Sequence, residues 1–162
     1  MKQHQINLEI QYDLVPVKVR KSIRKAALSA LLNLAPLQEL QITVLICDDE
    51  YMRNLNLTYR GVDKSTDVLS FENQYTLPDS KALYMGDIAI SYPAALRQST
   101  TAGHDIQAEM SLLTVHGVLH LFGYDHQNDN EKKEMWEKQN QILQSLGYGE
   151  MIPIGDELNA QE

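Results

Sequence analysis

Cysteine is nearly missing from this chain, for Cys47 stands alone among 162 residues. One cysteine cannot close an internal disulfide, so packing must hold the fold and a reducing compartment is expected. Cys47 follows the apolar run Ile42-Thr43-Val44-Leu45-Ile46 and reads as a small buried hydrophobe rather than a nucleophile. Long hydrophobic runs are lacking as well. No uninterrupted apolar stretch would span a bilayer. The opening Met1-Lys2-Gln3-His4-Gln5-Ile6-Asn7 has no signal-peptide core, so a cytoplasmic location without a membrane partner is expected. Positive charge is scarce: 14 Lys and Arg stand against 22 Asp and Glu, a net of −8. That balance argues mildly against a general nucleic-acid binder.

What is present reads as one globular domain. The chain is 43% hydrophobic and 22% charged, and its length leaves room for a real core. The charge is uneven. Through Lys64 there are nine Lys and Arg against seven Asp and Glu, and the remainder holds five against fifteen. Lys18, Arg20, Lys21, Arg24 and Lys25 form a basic cluster, read first as a solvated helix face and second as a phosphate-contacting surface.

Ile6, Leu8 and Ile10 alternate with polar residues, which predicts a strand. Pro16 opens a helix with apolar positions Val19, Ile23, Ala26, Ala27, Ala30 and Leu31, and Pro36 lies beyond its end. A buried strand is expected from Gln41 to Cys47. Asp48-Asp49-Glu50 starts a short helix to about Tyr59, broken by Gly61. Two further strands are expected at Val68–Phe71 and Met85–Ser91, joined by a polar loop that holds Pro78 and Asp79. Pro93 suggests another short helix. A strong helix spans Ile106–Phe122 with Gly123 as its stop, and Asn128 or Asp129 caps a last helix through Trp136, Ile142 and Leu146 to Gly147.

These elements predict a single α+β domain, a small mixed sheet of about four strands packed with about five helices. The domain is expected over 1–154, as a metal-dependent hydrolase, with 155–162 an acidic, mobile tail.

The chemistry is concentrated in His116-Gly117-Val118-Leu119-His120-Leu121-Phe122-Gly123-Tyr124-Asp125-His126. His116 and His120, four apart on a helix, share a face and can close on one ion. Gly123 can supply the left-handed turn that returns His126 as a third ligand. Neutral imidazole suits Zn2+, with Ni2+ or another divalent transition metal as the alternative. Three protein ligands leave a position open for water or substrate, as in a catalytic site. Three of the five histidines fall within these eleven residues, which separates them from His4 and His104. The spacing also matches the metzincin peptidase frame, which places Glu directly after the first histidine. Here that position is Gly117, and loss of a general base costs about 10²–10⁴ in rate.

The histidine block resembles that of the YbeY family. Two more blocks carry the resemblance: Leu55-Asn56 through Tyr59-Arg60-Gly61 to Thr66-Asp67-Val68-Leu69-Ser70-Phe71, and Met85-Gly86-Asp87-Ile88-Ala89-Ile90-Ser91. Glu72 departs from the pattern, since proline is expected after Ser-Phe, and it is read as altering a loop. The resemblance implies a single-strand-specific metal-dependent endoribonuclease, acting in 16S ribosomal RNA 3′-end maturation and ribosome quality control. It assigns His116, His120 and His126 as zinc ligands and Arg60 as a functional residue. Its partners would be single-stranded or ribosomal RNA and the ribosome or a ribosomal protein.

Arg60 suits that role, since a guanidinium fork binds phosphate oxygens and stays charged. It is equally an ordinary cation at a helix C-terminus. Asp125 is read either as orienting an imidazole or as capping its turn. Asp67 and Asp87 sit at strand edges, read as local backbone partners with contact to the site as the alternative. Beside the nuclease stand two other readings, a metzincin-like zinc peptidase and a non-catalytic zinc-containing ribosome assembly factor.

Overall fold

The structure is a computed structural model that describes residues 3–149. The proposed tail 155–162 and the last residues of the 1–154 span lie outside the described residues.

Period-two hydrophobicity gives β1 (Gln5–Ile10). Pro16, at φ −64°, precedes α1 (Val17–Leu34), whose buried residues are the six apolar positions expected of it. β2 (Leu40–Cys47) leads into α2 (Asp49–Arg60). The Asp48 carboxylate accepts the Tyr51 amide at 2.8 Å, and Gly61, at φ 70°, ends the helix. β3 (Val68–Thr76) and β4 (Leu83–Ser91) follow. Ser91, Asp105 and Asn128 then cap α3 (Tyr92–Ala102), α4 (Ile106–Leu121) and α5 (Asp129–Ser145) by side-chain bonds to backbone amides.

The four-stranded sheet runs β1-β2-β4-β3, with β1, β2 and β4 parallel and β3 antiparallel to β4. The stretch after Phe71, expected as loop, is half strand. β3 continues to Thr76, and only Leu77–Ala82 turns. Residues 72–76 are exposed, so no hydrophobic alternation marks them. Backbone pairing and the stack of Tyr75 on Tyr84, 5.0 Å between ring centroids, hold them instead. Glu72 is accordingly a strand residue paired with Gly86, not a loop residue.

One face of the sheet carries the main core with α1, α4 and α5. The other face carries a smaller cluster of Cys47, Met52, Leu69 and Ala89 under α2. Burial, with help from the Asp48 and Asp49 charges, pushes the Cys47 thiol up to about 12. It is therefore a packed hydrophobe, not a thiolate. Within the basic cluster, Arg20 Nε donates to the Val15 carbonyl and Arg24 Nη1 to the Ile6 carbonyl. Lys18, Lys21 and Lys25 are exposed. No helix among the described residues is long and apolar enough to cross a membrane.

α4 is the central element, touching α1, α3, α5, β3 and β4. It approaches the sheet through Gly117: a Cβ there would stand 2.7 Å from Ile88 Cγ2 on β4. Ser70 on β3 donates its hydroxyl to the Gly117 carbonyl at 3.0 Å, locking the same contact from the side. Near the start of α4, buried Glu109 faces His104 at 2.6 Å. Burial raises the Glu109 pKa against the lowering effect of His104, and Asp67 adds to the rise.

Two expectations follow from this packing. Gly117→Ala gains about 1 kcal/mol in helix propensity but overpacks Ile88 at a cost of about 1–3 kcal/mol. Ile88 is fully buried and branched, so the net sign is destabilising in urea melts. Glu109 binds its proton more tightly folded than unfolded, so protonation favours the folded state at low pH and that contribution fades as pH rises. Glu109→Gln should therefore gain on the wild type as pH climbs from about 4 to 8, measured by urea melts across that range.

Candidate metal centre

The last turn of α4 closes as a Schellman motif. The Gly123 amide donates to the His120 carbonyl at 3.0 Å and the Tyr124 amide to the Leu119 carbonyl at 3.1 Å. Gly123 takes φ 91°, a conformation that side chains rarely adopt. The chain thus reverses, and Asp125 Oδ1 accepts the His126 amide at 2.8 Å, fixing the local turn.

This reversal brings His116, His120 and His126 together, with one nitrogen from each inside a 4.8 Å group. His116 is buried, and the other two are half-buried. His116 Nε2 and His120 Nε2 are 3.0 Å apart, and the ring centroids lie 4.6–5.7 Å from one another. Two nitrogens on a tetrahedral zinc, with bonds of about 2.05 Å, lie roughly 3.3 Å apart. The donor set and spacing therefore fit one borderline transition ion. Trp136 on α5 stands edge-on to His116 and His126, its ring centroid 6.0 Å from each.

The histidines line a cleft of about 730 Å3 that Arg60, Ser70, Glu72 and Asp125 also border. Arg60 is the last residue of α2. Its Nη2 donates to the Ser70 carbonyl at 2.8 Å, and its guanidinium carbon lies 5.7 Å over the Phe71 ring. The structure thus places the predicted arginine and the predicted histidines on one cleft. Asp67 is buried instead, its Oδ1 accepting the Val68 amide at 2.8 Å. Asp87 accepts the Tyr84 hydroxyl, and it neighbours Ile88, which packs on α4, so it points to the opposite sheet face.

Asn56 and Ser70 stood in a family-like block with no role read for them, and Gln139 stood outside every motif. Ser70 bonds to Gly117. Asn56 is buried, and its Nδ2 donates to the Lys64 carbonyl at 2.9 Å. Gln139 on α5 puts its Oε1 3.0 Å from His116 Nδ1. Gln139 left a different signal, a polar residue on a helix face otherwise buried through Met135, Ile142 and Leu143.

Fold and site together define a class: a single-domain α+β protein with an open three-histidine centre able to hold a metal ion. The family model described as "Endoribonuclease YbeY" matches residues 5–147. A protein of Pelotomaculum thermopropionicum named Endoribonuclease YbeY is 46% identical over 112 residues, 67% of this chain and 74% of that protein. One of the same name from Caldicellulosiruptor bescii is 37% identical over 153 residues, 88% and 97% of the two chains. The solution structure of a Thermotoga maritima protein shares the fold, with a TM-score of 0.61 at 23% identity, covering 87% of this chain and 88% of that one. The chain belongs to the endoribonuclease YbeY family.

A metal held here should report on the folded state. Zinc at a hundredfold over its Kd adds about 2.7 kcal/mol to stability. Thermal melts of chelator-stripped protein should rise on zinc addition, and His126→Ala should abolish the rise while still folding.

Proposed function

We propose that this chain is a zinc-dependent, single-strand-specific endoribonuclease of the cytoplasm, acting in 16S ribosomal RNA 3′-end maturation and ribosome quality control. The observation that carries the reading is the shared cleft: Arg60 and the three imidazole nitrogens border one space. Family membership names the reaction class.

His116, His120 and His126 would hold the ion, which when bound supplies Lewis-acid polarisation of a phosphoryl oxygen or activation of water. Arg60 would grip the phosphate. Its bond to the Ser70 carbonyl fixes the arm, and the remaining guanidinium donors can meet phosphate oxygens in a forked pair. Charge that develops on the phosphoryl group is then met by a preorganised cation. Among single-strand and duplex substrates, an unpaired strand suits this cleft, because its bases and backbone can be splayed out while an A-form helix stays rigid. A docked ribosomal protein or ribosomal subunit would supply the affinity that an acidic chain lacks for RNA at large.

The peptidase reading meets a specific obstacle. Its base would stand at position 117, and a Cβ there already collides with Ile88.

The deciding assay incubates purified protein with single-stranded RNA, with and without chelator. Arg60→Ala should lower the rate by about 10²–10³, as loss of one preorganised donor does, and His116→Ala should lower it at least as far. Elemental analysis of the same preparation should find zinc, with nickel the alternative. Variants that cut as fast as wild type would assign the cleavage to a contaminant. Ribosome co-sedimentation without any RNA cleavage would favour the assembly factor.

A further inference from the structure

Gln139 is a polar side chain in an apolar position. It lies on the face of α5 that also buries Met135, Ile142 and Leu143, and it is fully buried. A buried carboxamide is costly to desolvate and is kept where its bonds matter. Its amino group meets no acceptor among the described residues. Its Oε1 lies 3.0 Å from His116 Nδ1.

We infer that Gln139 is a positioning residue for the three-histidine centre, holding His116 in the tautomer and ring orientation that metal binding needs. The inference rests on the reading of the histidines as metal ligands. A carboxamide oxygen can only accept, so Nδ1 of His116 carries the proton and donates it. Nε2 is then the lone-pair nitrogen, and Nε2 is the atom turned toward His120 Nε2 at 3.0 Å. The same bond stops the His116 ring from swinging away from its partners. Trp136, three residues earlier on α5, stands against the rings of both His116 and His126. α5 therefore contributes no ligand yet sets the posture of two. Partners behind metal-bound histidines act in this way, and their loss costs 10–100-fold in metal affinity.

The test is a zinc affinity measurement by competition with a chromophoric chelator, on wild type, Gln139→Leu and Gln139→Glu. Each variant's metal-free melting temperature is measured alongside. Leu matches the volume but accepts no bond, so zinc affinity should fall about 10–100-fold with little change in the metal-free melt. Glu keeps an acceptor oxygen at the same reach and should bind zinc at least as tightly as wild type. The inference is overturned if Gln139→Leu holds zinc within threefold of wild type, or if Gln139→Glu binds as poorly as Gln139→Leu. Should the Leu variant not fold, Gln139→Asn takes its place, one methylene too short to reach His116, with the same outcomes expected. Wild type that binds zinc while Gln139→Leu matches it sinks only the role of Gln139. Wild type that binds no metal removes the three-histidine reading and this one together.

Discussion

The close approach of α4 to β4 at Gly117 governs the rest of the molecule. A side chain there would press into Ile88, so the helix or the Ile88 side chain would have to shift. The Ser70 hydroxyl, bonded to the Gly117 carbonyl, ties β3 to the same turn. His116 and His120 flank this turn, so their height above the sheet is set by it. Ser70 also offers its own carbonyl to Arg60. One residue thus links the helix of the histidines to the arginine that shares their cleft.

A helix that ends inside a site has unsatisfied carbonyls to cover. In α4 the Schellman turn covers two of them and at once redirects the chain, so the solution to a backbone problem also delivers His126. The return loop alone would leave His126 and the far edge of His116 against solvent. α5 closes that side with Trp136 and Gln139, and Lys132 lies over the Trp136 ring at 5.6 Å. Side chains packed from a rigid helix place ligands better than a loop can.

Much of this was legible in the sequence, and the division is physical. The helices announced themselves by period, cap and stop: Asp48, Asn128 and Gly123 act through bonds to residues within a few positions. The histidine spacing is likewise local geometry. What stayed hidden depends on contacts distant in the chain. The outer half of β3 carries no hydrophobic alternation because residues 72–76 lie exposed at the sheet edge, and only pairing with β4 makes them a strand. The reason for Gly117 lies in Ile88, about thirty residues upstream. Read alone, Gly117 marks a missing base; in the fold it is a packing requirement. Asp67 and Asp87, open between two roles in the sequence, are occupied by local partners once Val68 and Tyr84 are placed.

Net charge argued mildly against a general nucleic-acid binder, and the structure changes what that argument weighs. Of the five cations clustered on α1, two are committed to backbone carbonyls, so the helix is a weaker phosphate surface than its composition suggests. Each phosphate neutralised contributes a counterion-release increment to affinity, and a chain of −8 offers few such contacts. Phosphodiester chemistry does not need many. It needs positive charge at one phosphoryl group, and in the proposed reading Arg60 and an ion held by the three histidines would supply it there. Catalytic cation and binding cation are separate demands. In that reading the fold would provide for the first with a handful of residues on one cleft and leave the second to whatever surface presents the strand.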